Sequence, residues 1–189
     1  MTTSVPPLVT SATARADEAG FGISSEPEVG ALLATLAAAV PKDGRILEIG
    51  TGAGVGLAWI VHGLGQRRDV ELVTVDIDAS IQRLAREAEW PIRVRFEIGD
   101  AAELVEKLGQ FHLIFADAPG GKIVKLRRTL DALEPGGILI VDDMDLSRQD
   151  DPQFRDALAL VRERLLSNDG LVCAELDFAS GVILATRRR

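Results

Sequence analysis

In the stretch ILEIGTGAGVG, Ile46 to Gly56, glycines alternate at positions 50, 52, 54 and 56, behind a short apolar run that carries an acid, Glu48. A glycine-rich turn after a strand lets backbone amides approach a nucleotide-like ligand. Which ligand depends on the frame. A nicotinamide dinucleotide fingerprint, G-x-G-x-x-G, would put its third glycine at Val55 or at Leu57, and neither frame fits. A phosphate-binding G-x-x-x-x-G-K-[ST] loop needs a lysine that does not follow these glycines. What does fit is E-x-G-x-G-x-G, from Glu48 to Gly54. Asp76, at the end of the next apolar run, is placed to accept hydrogen bonds from both hydroxyls of a ribose. A strand-end acid facing a pocket packs against little, so its removal is expected to leave stability nearly unchanged. Further carboxylates close later runs: Asp100 in IGDAAEL, Asp117 in FADAPGGK, and Asp142 with Asp143 in ILIVDDM.

The elements that must position these residues alternate. Candidate strands are 45–49, 71–76, 93–98, 112–117 and 137–142, with amphipathic helical stretches between them at 54–64, 80–89, 101–108 and 123–133. Another helix is expected at 28–40, before the first strand. HLIFAD and GILIVDD are almost continuously apolar, as strands buried on both faces are. Strand–helix alternation gives crossovers and a parallel sheet covered on both sides. A long helix at 152–166 then leads to GLVCAELDF, ASG and VILATR, which read as a β-hairpin. The expected fold is α/β: a Rossmann-like, doubly wound, seven-stranded sheet, mostly parallel, with an antiparallel C-terminal hairpin strand. Residues 1–21, rich in Ser, Thr and Pro, read as a flexible N-terminal arm, and 22–189 as a single domain.

The Glu48–Gly54 pattern resembles motif I of the class I S-adenosylmethionine-dependent methyltransferases. LEIGTGAG, VDIDAS, FADAPGGK, LEPGGILIVDDM and DFASGVILATR together are similar to the small cation-dependent O-methyltransferases, the group of the catechol and caffeoyl-coenzyme A enzymes. The resemblance covers about Gly22 to the C-terminus. It implies S-adenosyl-L-methionine as cofactor, held by Glu48, Gly50, Thr51, Gly52 and Gly54, by Asp76 and Ile77 after the second strand, by Asp100 facing the adenine with Ala101 beside it, and by Asp117. It also implies a Mg²⁺ site, or one for Mn²⁺ or Ca²⁺, made of Asp117, Asp142 and Asp143. Carboxylates meeting at strand ends next to the first strand do suit a hard cation. Such an ion holds two adjacent oxygens of a hydroxylated, catechol-like acceptor and favours ionisation of one. Lys122 is then placed to take the proton, so Lys122 and Asp117 are the candidate catalytic residues. Four features depart from the family. Asp143 stands where Asn is usual. Asp142 and Asp143 share a cation only if the strand has ended before them. Lys122 lies five residues after Asp117 rather than three. Gly56 stands where a Ser often helps hold the methionine carboxylate. Read without the resemblance, the acids also fit strand ends facing water, and Lys122 a solvated loop lysine.

A formal net charge of −8 argues against a nucleic-acid groove. No apolar run reaches the ~20 residues of a membrane span, and the N-terminus has no secretion-signal pattern, so neither nucleic acid nor membrane is an expected partner. The lone Cys173 allows no internal disulfide, which suits a reducing, cytoplasmic setting. His62, His112 and Trp59 read as structural, whereas Trp90, in a loop before Pro91, is harder to place. The segment MDLSRQDD after the fifth strand is short. The pocket is therefore expected to be open, or completed by the N-terminal arm or by a second subunit in a homodimer. The alternatives to an O-methyltransferase acting on a small molecule are a metal-independent methyltransferase with another acceptor and a non-catalytic S-adenosylmethionine-binding domain.

Overall fold

The structure, a computed structural model, describes residues 5–189. Two helices, α1 (Pro7–Glu18) and α2 (Pro27–Ala39), precede the alternating core. That core runs β1 (Arg45–Ile49), α3 (Val55–Leu64), β2 (Glu71–Asp76), α4 (Ala79–Arg86), β3 (Val94–Ile98), α5 (Ala101–Leu108) and β4 (Phe111–Ala116). After it come a four-residue turn α6 (Pro119–Lys122), α7 (Leu126–Asp131), β5 (Leu133–Val141), a short 3₁₀ turn (Leu146–Arg148), α8 (Pro152–Leu166), β6 (Leu171–Leu176) and β7 (Val182–Arg187). The strands form one seven-stranded sheet in the order β3-β2-β1-β4-β5-β7-β6. Pairing is parallel from β3 to β5, and β7 runs antiparallel to both its neighbours.

Strand β1 shows how the sheet is covered on both sides. Its side chains alternate: Ile46 joins a core with Val9, Leu33 and Leu57 from α1, α2 and α3, while Leu47 and Ile49 join one with Val105, Leu126 and Leu158 from α5, α7 and α8. Glu48 shares the face of Ile46 and is fully buried there. The strand order reverses between β1 and β4. In an open α/β sheet that reversal leaves a crevice outside the carboxyl ends of the strands.

Two expectations need correcting. The N-terminal arm is a helix over Pro7–Glu18, and Val9, Ala12 and Ala16 bury one stripe of it in the core. The i, i+3, i+7 spacing of these small apolar residues makes that stripe, and Pro7 at the first turn starts the helix without losing a hydrogen bond. Residues 1–4 of the arm lie outside the described residues. The helix expected at 123–133 is shorter, because Lys125 takes a left-handed conformation before α7 and β5 already begins at Leu133.

Candidate active site

The carboxyl ends of β1, β2, β4 and β5 open into one cavity of about 650 Å³. The glycine loop forms one wall, with Gly50, Thr51, Gly52 and Gly56. Gly50 and Gly52 have φ of +100° and +51°, a region that side chains disfavour, and a Cβ on Gly52 would lie 2.9 Å from the Phe21 ring. Gly54 also has a positive φ but does not line the cavity: it starts α3 and packs against Ala85 of α4.

Asp76 lines the cavity and fastens the loop as well. Its Oδ2 accepts from the Gly52 N–H at 2.7 Å, and its Oδ1 from the Asp78 N–H at 2.9 Å. It therefore packs against more than a solvated strand end does, and the expectation that its loss leaves stability unchanged does not stand. Ile77, beside it, is 72 % exposed and offers an apolar surface to the cavity.

Behind the loop lies a buried polar chain. Gln82 Nε2 donates to Thr51 Oγ1 at 3.1 Å, Thr51 Oγ1 meets Thr74 Oγ1 at 2.6 Å, and Thr74 Oγ1 donates to Glu48 Oε2 at 2.6 Å. Among the described residues Glu48 Oε1 has no hydrogen-bond partner. Burial pushes the Glu48 carboxyl well above the usual range, opposed by the Thr74 hydrogen bond. A Cβ on Gly56 would lie 2.7 Å from Glu48 Oε1 and 3.2 Å from Ser25 Oγ. There is no room for a side chain on α3 here, and the nearby hydroxyl comes from Ser25 in the segment between α1 and α2.

Asp100 and Ala101 follow β3 at the start of α5. Asp100 caps α5, accepting from the Ala102 N–H at 2.8 Å, and its Oδ1 abuts Gly120; Ala101 is buried beneath Gly121. Neither lines the cavity.

On the opposite wall Asp117, Lys122, Asp142 and Asp143 come together. Strand β5 ends at Val141, and Asp143 has φ +63°, so the two adjacent acids are not held to opposite faces of a strand. Lys122 is buried, 1 % exposed, and is no solvated loop residue. Its Nζ donates to Asp143 Oδ2 at 2.7 Å and to the Asp142 carbonyl at 3.3 Å. The longer spacing from Asp117 is taken up by the irregular turn through Gly120 and Gly121, where Gly121 has φ +84°. Asp142 Oδ1 accepts from the Asp143 N–H at 2.8 Å and from Ser180 Oγ, while the Ser25 hydroxyl pulls the Asp117 pKa down against its burial. Burial and the facing Asp142 carboxylate push Asp117 well above the ordinary carboxylate range; burial raises Asp142, and the Ser180 hydrogen bond opposes this.

The expected metal ligands are where the structure departs from the resemblance. Among the described residues no three His, Cys, Asp or Glu side chains are close enough to share a metal ion. Asp142 instead takes hydrogen bonds from the Asp143 amide and Ser180, and an ammonium lies against Asp143. As arranged, the set does not fit Mg²⁺, Mn²⁺ or Ca²⁺.

Sequence reasoning missed Ser25, Glu26, Arg148 and Ser180. Arg148 pairs with Glu26 through two bonds of 2.6 and 3.2 Å across the cavity mouth. The sequence signals were slight: a serine pair before a helix, a turn serine in ASG, and one arginine in the short segment after β5.

Known proteins share this architecture. A methyltransferase-domain family model matches residues 47–144. A Mycobacterium tuberculosis protein named as a probable O-methyltransferase is 35% identical over 193 residues, spanning 95% of this chain and 84% of its own. A Mycolicibacterium vanbaalenii protein, likewise named for O-methyl transfer, is 34% identical with the same coverage. The chain belongs to the S-adenosylmethionine-dependent O-methyltransferases. Among solved structures, a Corynebacterium glutamicum protein superposes on this methyltransferase with a TM-score of 0.82, 26% identity and coverage of 100% of this chain and 93% of that one. TomG of Streptomyces achromogenes, an O-methyltransferase solved with S-adenosylmethionine, shares the fold at a TM-score of 0.84 and 22% identity, with the same coverage. In the described residues of the methyltransferase no helix is long and apolar enough to cross a membrane.

Proposed function

We propose that this methyltransferase carries a methyl group from S-adenosylmethionine to a hydroxyl of a small, catechol-like acceptor. The observation that carries the reading is the meeting, in one cavity at the strand-order reversal, of an open glycine loop and Asp76 on one wall with Asp117, Asp142 and Lys122 on the other. The cofactor's fit rests on the glycine loop that lines the cavity, where Gly50 and Gly52 take positive φ and leave their backbone bare, and on Glu48 Oε1 behind it, which has no partner among the described residues. Gly50, Thr51 and Gly52 would hold its amino-acid end, with the buried Glu48 and Ser25 beneath them. Asp76 would take the ribose hydroxyls and Ile77 the face of the base. When bound, S-adenosylmethionine supplies a sulfonium methyl group whose sulfur leaves as a neutral thioether.

The acceptor hydroxyl must lose its proton as its oxygen is methylated. A carboxylate held in a partly dry cleft is a stronger base than a solvated one, and Asp117 is the group so placed. Lys122, engaged with Asp143, is the fixed positive charge beside it and favours a developing oxyanion. Holding donor and acceptor against each other in one cavity supplies much of the remaining acceleration. No step is assigned to a divalent cation, since the three aspartates do not gather around one.

Isothermal titration tests the cofactor reading: S-adenosylhomocysteine should bind in the micromolar range and NAD should give no heat. In Asp76→Ala the affinity should fall by about 1.5–3 kcal/mol, the scale of lost hydrogen bonds to a charged group. Unlike a purely ligand-facing residue, Asp76 should also lower the melting temperature of the cofactor-free protein when removed. Binding of NAD in place of S-adenosylhomocysteine would overturn the reading. Acceptors are then sought by mass spectrometry for one added methyl group on a panel of phenols and catechols.

A further inference from the structure

Three carboxylates and one ammonium meet at the ends of β4 and β5. We infer that the Lys122 ammonium is the resident cation of this cleft, doing the work of holding negative charge together that a divalent ion would otherwise do, and that the protein works without such an ion. The inference rests on the methyltransferase reading for what the cleft is for; the geometry stands independently.

First, the lysine is built in. Its side chain is 1 % exposed, and its Nζ bridges Asp143 Oδ2 and the Asp142 carbonyl. The turn that delivers it is shaped for that purpose: Gly121 takes φ +84°, and its carbonyl accepts from Thr129 Oγ1 at 2.7 Å. Asp143, with φ +63°, turns back to meet the ammonium. A buried amine is tolerated where an anion and an acceptor satisfy it, and both are present.

Second, Asp142 has donors of its own: the Asp143 amide and the Ser180 hydroxyl. A Mg²⁺ or Ca²⁺ ion requires six or more oxygens at roughly 2.0–2.6 Å. Gathering the three carboxylates around one would break these bonds and set a dication against an ammonium. The sequence departures from the cation-dependent pattern fall on this same feature: the displaced Lys122 and the extra charge of Asp143 are the two halves of the ion pair.

The test uses the full chain stripped with EDTA and followed by thermal melting. Wild-type melts should be unmoved by Mg²⁺, Mn²⁺ or Ca²⁺, with or without S-adenosylhomocysteine. S-Adenosylhomocysteine alone should raise the midpoint, which tests the cofactor reading separately. Lys122→Met should melt lower than wild type in EDTA and then respond to divalent ions, by about 5–10 °C at a hundredfold excess over the dissociation constant. If Lys122→Met does not fold, the wild type still decides the matter. In a Mn²⁺ titration read by electron paramagnetic resonance, the free-ion signal with protein should match buffer alone. A saturable loss of one ion per chain, or a wild-type melt raised by any of the three cations, would overturn the inference. So would a folded Lys122→Met chain that ignores all three.

Discussion

Glu48 is the residue whose placement carries the sharpest pH signature. It is the acid of the glycine motif, yet it lies wholly buried, with one oxygen on Thr74 and the other unpartnered. Burial raises its folded-state pKa above that of the unfolded chain. The sign of the linkage follows. Below the unfolded value both states are protonated and ionisation costs nothing. As pH rises through the unfolded value, the unfolded chain ionises first, so stability falls; the loss is complete only above the raised folded value. Glu48→Gln keeps an acceptor for Thr74 and removes the titratable group. The variant should be more stable than wild type at neutral pH, by about 1–3 kcal/mol, the scale of a buried polar group left without a partner. Its advantage should shrink toward pH ~4, where both carboxyls are neutral. Denaturant melts across that range measure the difference, and an advantage that grows toward acid would refute the account. S-Adenosylhomocysteine should bind the variant more weakly, because the carboxyl oxygen without a partner behind the loop is replaced by an amide. Stability gained at the expense of binding is the usual mark of a group kept for function.

At the scale of elements, the sequence was most informative where periodicity and turn chemistry agreed. Strands 45–49 and 71–76 and helices 101–108 and 152–166 lie where the pattern puts them, because each is bounded by residues that end it: Gly50 after the first strand, Asp76 as the last residue of the second, Asp100 and Asp151 as helix caps. The glycine loop was legible for the same reason, since its spacing excludes other nucleotide motifs. The segment from Pro119 to Leu133 was not. Its apolar residues fit one long helix, but the left-handed Gly121 and Lys125 divide it into a tight turn and a short helix. No local pattern announces a conformation that is fixed by packing against Ile49 and Thr129. Reading Lys122 as a solvated lysine failed there, for the turn is what carries it inward. Gly121→Ala tests this. A Cβ would sit at φ +84° and 3.0 Å from both Ile49 Cδ1 and Thr129 Oγ1. The cost should be about 1–2 kcal/mol from the left-handed backbone alone, read as a lower denaturation midpoint. Because Gly121 does not line the cavity, affinity for S-adenosylhomocysteine should hold while turnover falls as Lys122 shifts. Equal loss of affinity and turnover would mean that the turn serves the cofactor.

Across the whole molecule, the cavity is closed by segments far apart in the chain. Phe21 to Glu26 follow α1, Arg148 and Gln149 follow β5, and Ser180 belongs to the terminal hairpin. Short-range pattern could not reveal this meeting, which depends on α1 docking on α3 and on β7 inserting between β5 and β6. The link across the mouth is the Glu26–Arg148 pair, 122 positions apart in sequence. Arg148 holds the Glu26 carboxyl below its ordinary range, but both side chains are at least one-third exposed, so the pair should contribute little to folding. Exposed pairs are worth about 0.2–1 kcal/mol and weaken with salt. Their position matters more than their energy, since they tie together two segments that line the cavity. Arg148→Ala should therefore change the unfolding free energy by less than about 1 kcal/mol, yet speed the release of S-adenosylhomocysteine in a stopped-flow displacement experiment. High salt should do the same to the wild type and add nothing to the variant. Release rates that are identical in the two proteins and indifferent to salt would show that the pair does not govern passage, and the exit would then have to lie along the exposed wall at Ile77.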